Sequence, residues 1–234
     1  MPALDIANMA VWYLVFVFST TCHEAAHAWV AYRGGDLTAY SLGHVSLDPT
    51  PHIRRSPFGM VIVPIVSFLF GGFMIGWASV PVDRRWAVDH PRKAALMSLA
   101  GPLANLLLAA LALTAMRLLV SADVLYAPTG SVLYQDLVVV PDGQALNSPL
   151  GAVARALSVT LVLNVLLGLF NLVPIPPLDG ASALEGAAPR TTAKFFDRMR
   201  EVPAFEFLGL MIAWRFFPYV SSPALAFVAD LLHA

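Results

Sequence analysis

Residues 7–32 read ANMAVWYLVFVFSTTCHEAAHAWVAY. From Ala7 to Cys22 the run carries no charged side chain, and it then passes through His23-Glu24-Ala25-Ala26-His27. About 20 apolar residues suffice to cross a bilayer as a helix, so this stretch predicts a membrane helix with ionisable groups in its second half. Ionisable groups are costly in hydrocarbon, and they persist there when they are paired, face protein or water, and serve a function. Positions four apart share one face of a helix. His23 and His27 therefore present two imidazoles to a single ion, while Glu24, about 100° round the helix, reaches a water on that ion. With six histidines and four glutamates in 234 residues, chance would produce this spacing about 0.003 times per chain. Buried histidines bonded to neighbouring helices are the structural alternative, but they would leave Glu24 without a partner.

The composition agrees with a membrane protein. Of 234 residues, 58% are hydrophobic and 12% charged, with a mean hydropathy of +0.71, whereas a soluble domain is about half apolar and a quarter charged. The chain reads as an all-α polytopic membrane protein with about four to six transmembrane helices. It forms one domain over 1–234, with a core over about 7–185 and a C-terminal membrane segment over about 204–232. The net charge of -1 comes from 14 basic and 15 acidic residues without a basic stripe, which excludes a nucleic-acid partner. One cysteine, Cys22, excludes an internal disulfide and a multi-cysteine metal site. The first apolar segment lacks a basic leader and a clean small-residue cleavage site, so it is expected to stay in the mature protein.

Further hydrophobic stretches follow at 58–80, 94–120, 150–173 and 205–232. The second is broken by Pro64, Gly71, Gly72 and Gly76, and the last by Trp214-Arg215 and Pro218, which predicts one kinked helix or two short ones. Residues 34–57 alternate apolar and polar side chains around Gly43 and Pro49, a pattern that predicts extended strand and turn. Residues 121–149 are acidic, with Asp123, Asp136 and Asp142. Residues 185–203 are short, amphipathic and basic.

A hydrolytic zinc site holds three protein ligands and one open position; the ion lowers the pKa of its water to about 7 and a carboxylate takes the proton. Asp179 is the best third ligand. It follows the Pro174-Ile175-Pro176-Pro177 break, which frees backbone near membrane depth, and Gly180 permits a close turn. Taken alone, an Asp after prolines is more often a cap for the next helix. The histidine pair reverses that preference.

His23-Glu24-x-x-His27, Gly101-Pro102-Leu103-Ala104-Asn105 and Asn171-x-x-Pro174-x-x-Pro177-Leu178-Asp179-Gly180 occur in this order over roughly residues 15–185. Together they resemble the motifs of the site-2 protease family of intramembrane zinc metalloproteases, in a compact form without a PDZ or cystathionine-synthase-type domain. The resemblance implies one Zn2+ held by His23, His27 and Asp179, with Glu24 as general acid/base and with Asn171 and Asn105 near the catalytic centre. It also implies cleavage of a transmembrane or membrane-associated protein within the lipid bilayer.

The ligand set makes a demand on topology. His27 lies near the end of the first span and Asp179 just beyond the fourth, so both must lie at one membrane face. Three crossings between them would put them on opposite faces. Segment 58–80 is therefore expected to be a re-entrant or strand-like hairpin, tolerable where protein or a water-filled cavity covers its broken backbone. Basic residues follow the same scheme. Arg33, Arg54, Arg55, Arg84, Arg85, Arg92, Lys93, Arg190, Lys194, Arg198 and Arg200 fall on one face, and only Arg117 and Arg155 on the other. By the positive-inside rule the catalytic face is cytosolic, as for a protein of a bacterial cytoplasmic membrane.

Weaker signals remain. Asn105 is read either as a helix-packing hydrogen bonder beside Gly101 or as a support of the site, and Asn164 as packing. His44 and His52 are read as solvated loop residues or as groups near the substrate, and His90 and His233 as interfacial. Cys22 is read as a small packing residue. Trp12, Trp29, Trp77, Trp86 and Trp214 are read as interfacial anchors. An unwound substrate segment could add as a strand to the hairpin or to 34–57. The rival function is a transporter using His23, Glu24, His27 and Asp179 as an ion relay; the inverted repeat of broken helices that would mark it is missing. A second rival, an inactive scaffold, has no use for Glu24.

Overall fold

The computed structural model of the chain describes residues 6–128, 134–141, 148–188, 192, 195–196, 198 and 203–233, with 203–206 described by their backbone alone. Asp142, Arg190, Lys194 and Arg200 lie outside the described residues. The described chain is helical, and its only β-pairing is a bridge between Tyr126 and Val139.

Among the described residues, three helices are long and apolar enough to cross a membrane: α1 (Ile6–Gly34), α6 (Pro91–Ser121) and α7 (Pro149–Asn171). Between α1 and α6 lie α2 (Thr38–Ser41), α3 (Thr50–Arg55), a π-turn at Phe58–Ile62 that runs into α4 (Val63–Gly71), and α5 (Arg84–Asp89). After α7 come α8 (Asp179–Ala187), α9 (Pro203–Phe216) and α10 (Pro218–His233). The last apolar stretch is thus two helices, parted at Phe217-Pro218 because proline cannot continue the α9 hydrogen-bond ladder.

Local chemistry sets the ends. Ser148 Oγ accepts from Gly151 N and Pro149 occupies the first turn, so α7 starts there. The same helix ends at Asn171, three residues before Pro174. Asp83 caps α5 by accepting from Arg85 N. One stripe of α6, Leu96, Leu103, Leu107, Leu111 and Leu118, is exposed and turns toward lipid. Its other face, with Ala95, Ser98, Gly101, Asn105, Ala109 and Ala112, is buried against α1, α7 and α8. Small residues let those backbones approach, which is how helices associate where lipid offers no hydrophobic driving force. At Gly168 of α7 an added Cβ would touch Leu106 and the Pro102 carbonyl. Phe16, Trp12, Phe68, Met74, Val159 and Leu163 fill the core between α1, α7 and the hairpin.

Segment 58–80 doubles back on itself. Its helical limb, Phe58–Gly71, is about 21 Å long at 1.5 Å per residue, well short of a bilayer core of about 30 Å. The chain reverses at Gly72, whose φ of +72° suits glycine. It comes back without helix or strand, and Trp77 N donates to Gly59 O at 3.2 Å. A Cβ on Gly59 would strike the Trp77 carbonyl, and one on Gly76 the Gly59 carbonyl and Phe16. Helix out and irregular backbone back give the segment a hairpin shape, too short in its helical limb to cross a bilayer.

Residues 34–57 are not strands. Asp36 Oδ1 accepts from Thr38 N, Asp48 Oδ1 accepts from Thr50 N, and Gly35 and Gly43 take φ of +103° and +77°. These side-chain-capped turns supply local partners for the backbone, so α2 and α3 form where alternation predicts extension. Two tryptophans also depart from the interfacial reading. Trp12 is buried and donates to Gln135 Oε1, and buried Trp86 donates to Gly34 O at the end of α1. Trp29, Trp77 and Trp214 are exposed.

Candidate metal centre

Three elements meet at one point. α1 contributes His23 and His27, α6 crosses beside them, and Asp179 opens α8 after the proline-rich turn that ends α7. His23 Nε2 lies 3.1 Å from Asp179 Oδ2, His27 Nε2 lies 3.3 Å from the same oxygen, and the two Nε2 atoms are 3.0 Å apart. Both imidazoles are buried and Asp179 is partly so.

The far side of each ring fixes what these three atoms offer. His27 Nδ1 is 2.7 Å from the Met97 carbonyl, which can only accept, so that nitrogen carries the proton and Nε2 presents its lone pair. His23 Nδ1 bonds to Asn105 Oδ1 and is in the same tautomer. With both rings neutral, two imidazole lone pairs and a carboxylate oxygen converge, a donor set suited to a cation. Its size matches zinc. Ligands about 2.0–2.1 Å from a tetrahedral ion stand about 3.3–3.4 Å apart, close to the 3.0–3.3 Å edges here. The residues present fit a zinc ion with its fourth position open.

The packing that creates the site is specific. A Cβ on Gly101 would fall on His23 Nε2 and His27 Nε2, so α6 can approach the pair only where it has no side chain. A Cβ on Gly180 would strike the Leu172 and Val173 carbonyls, and one on Gly186 would strike the Pro91 carbonyl and Ala95. Those two contacts seat α8 on the end of α7 and the start of α6, which brings Asp179 to the histidines.

Glu24 is 5% exposed, and among the described residues its carboxylate makes no hydrogen bond or ion pair. Asn105 is fully buried, and both ends of its amide are engaged: Oδ1 by His23 Nδ1, and Nδ2 by Asn164 Oδ1 at 2.8 Å. Asn171 donates to Leu167 O of its own helix at 3.0 Å, and no described bond ties it to the three ligand atoms. Cys22 is a half-buried free thiol.

Sequence reasoning missed Gly101 as the floor of the site, the Met97 carbonyl and Asn164. Gly101 and Asn105 lie four apart in one motif, a spacing that puts both on the α6 face turned to α1; Asn164 and the Met97 carbonyl carried no such signal. His44 and His52 are not solvated. They are 4% and 0% exposed and face each other, Nδ1 to Nδ1, at 3.4 Å. Burial, with His52 and Arg55 nearby, pushes the His44 imidazole below its usual pKa.

A family model described as peptidase family M50 matches residues 11–213. The chain is 33% identical over 180 residues to "Putative zinc metalloprotease YwhC" of Bacillus subtilis (strain 168), covering 76% of this chain and 69% of that protein. It is 34% identical over 170 residues to "Putative zinc metalloprotease Rip2" of Mycobacterium tuberculosis (strain H37Rv), covering 73% of this chain and 54% of the relative, so it spans about half of that protein. The Rip2 protein of Mycolicibacterium smegmatis is 29% identical over 170 residues, with the same coverage. No solved structure matches. With three motif regions meeting at one zinc-sized centre and a family match along most of its length, the chain belongs to peptidase family M50, the site-2 protease family of zinc metalloproteases.

Proposed function

We propose that the chain hydrolyses a peptide bond of a single-span or membrane-associated protein, with His23, His27 and Asp179 holding the zinc ion and Glu24 as general acid/base. The observation that carries this reading is the convergence of two imidazole nitrogens and a carboxylate oxygen at 3.0–3.3 Å, with the buried residue Glu24 next to His23 on α1. Bound there, zinc supplies Lewis acidity toward the scissile carbonyl and the water. Glu24 takes a proton from the attacking water and returns it to the leaving amine. Asn105 spends both ends of its amide on His23 and Asn164, so it orients His23. Asn171 would donate to the oxyanion only by giving up its bond to Leu167 O.

A helical substrate has its amides bonded internally and must unwind before attack. The return limb of the hairpin, which forms neither helix nor β-pair among the described residues, supports this step as a segment against which an unwound substrate can lie. The catalytic face is cytosolic in this reading. Arg33, Arg54, Arg55, Arg84, Arg85, Arg92 and Lys93 lie in the connections at the end of α1, around the hairpin and at the start of α6, the side on which Asp179 enters.

The test is zinc content and cleavage of a membrane-protein reporter by purified protein. His23→Ala is expected to lose zinc and Asp179→Ala to hold it weakly. Glu24→Gln is expected to keep zinc and lose cleavage by at least a hundredfold. Full cleavage by Glu24→Gln would overturn its role as the base, and full zinc content in His23→Ala would overturn the ligand set.

A further inference from the structure

His27 takes its tautomer from a backbone carbonyl, which can only accept. His23 is held instead by a side-chain amide, which presents either a donor or an acceptor depending on which way it is turned. Something must choose for it. Asn105 Nδ2 donates to Asn164 Oδ1 at 2.8 Å and, at the longer distance of 3.5 Å, to the Ser19 carbonyl; Asn164 Nδ2 donates to the Thr160 carbonyl of α7 at 2.8 Å and to Ser19 Oγ of α1 at 2.8 Å. Both asparagines are 0% exposed, so no bulk water competes.

The direction of this chain follows from its far end. The Thr160 carbonyl cannot donate, so the Asn164 end that faces it is the NH2 group. The opposite end is then an oxygen, so Asn105 must turn its own NH2 toward it. Its oxygen is left facing His23 Nδ1, which must carry a proton, and the Nε2 lone pair points at His27 and Asp179. With Asn105 reversed, an amide NH2 would face Nδ1, and the proton would move to Nε2, into the space between the three ligand atoms.

We propose that Asn164 is a positioning residue for the metal centre: through Asn105 it relays the polarity of the Thr160 carbonyl to His23 and holds that ligand in its metal-binding tautomer. This inference rests on the zinc reading above. Partners of ligating histidines typically change metal affinity by about 10–100-fold when removed, and here the effect acts across two side chains.

The experiment measures zinc affinity of the purified full chain by competition with a chelator, with thermal melting of each zinc-free variant as a control for folding. Asn164→Leu keeps the side chain's size and removes the relay, and it is expected to weaken zinc binding by tenfold or more. Asn105→Asp places a carboxylate, which accepts at either oxygen, against His23 Nδ1 and needs nothing to orient it. In Asn105→Asp/Asn164→Leu, zinc affinity is therefore expected to return to within about threefold of wild type. A purely structural role for Asn164 would make the double variant as weak as Asn164→Leu, and that result overturns the relay. Wild-type affinity in Asn164→Leu overturns it also. Should a variant fail to fold, imidazole nitrogen NMR of the zinc-free wild type, read at a pH where the His23 ring is neutral, decides alone: a proton on Nδ1 is expected, and a neutral ring with its proton on Nε2 refutes the inference. If wild type itself binds no zinc, or His27→Ala binds it as wild type does, it is the metal reading that has failed.

Discussion

Gly101→Ala adds one methyl group at the point where α6 meets the histidine pair. The new carbon would lie on His23 Nε2 and His27 Nε2 and within 2.6 Å of His27 Cε1. Carbon contacts are comfortable at about 3.5–4.0 Å, so either α6 must retreat from α1 by about 1 Å or the imidazoles must swing aside. Helix retreat is opposed by the packing of α6 against α1, α7 and α8, and overpacking of this kind costs about 1–3 kcal/mol. A metal site tolerates displacements of only about 0.2 Å, so the same movement takes a ligand out of reach. Zinc affinity is expected to fall at least a hundredfold, or about 3 kcal/mol, while the zinc-free fold melts only a few degrees lower. Gly71→Ala is the control. Its Cβ meets the Phe73 ring of the hairpin at 2.9 Å and no part of α6, and zinc affinity is expected to stay at the wild-type value. The assay is chelator competition together with thermal melting in one detergent. Wild-type zinc affinity in Gly101→Ala would refute the placement of α6 against the histidines.

Two further outcomes are expected. Gly76→Ala drives a methyl into the Gly59 carbonyl and Phe16, so the hairpin must open; cleavage of a fixed membrane-protein reporter is expected to fall at least tenfold with zinc content unchanged, and equal cleavage would remove the hairpin from substrate handling. Asp36 is buried, which raises its pKa, but hydrogen bonds from Thr38 and from the Asp83 backbone outweigh that and hold the carboxyl below its ordinary value. A depressed pKa stabilises the fold above the unfolded value and loses that contribution as pH falls through the folded one. The melting-temperature gap between wild type and Asp36→Asn is therefore expected to be constant above about pH 5 and to narrow below about pH 4; a gap that widens on acidification would contradict the sign.

Much of this protein could be read along the chain. Apolar run lengths predict the spans, because a membrane helix satisfies its own backbone and needs only length and hydropathy. The His23-Glu24-x-x-His27 spacing locates the metal face of α1 because four residues return a helix to the same side. Parity predicts the hairpin, since one ion cannot be bound from two faces of a bilayer.

Tertiary structure decided the rest, because it depended on which surfaces meet. Alternation at 34–57 imitates a strand, and only the capped turns at Asp36 and Asp48 show why the backbone coils there instead. Asn164 and Asn105 lie 59 residues apart, and Met97 lies 70 residues from His27. No local pattern links them. The histidine pair is a property of one helix turn, whereas the approach of Asp179 and the spacing of the three candidate ligands arise from packed helices and the glycines that let them close.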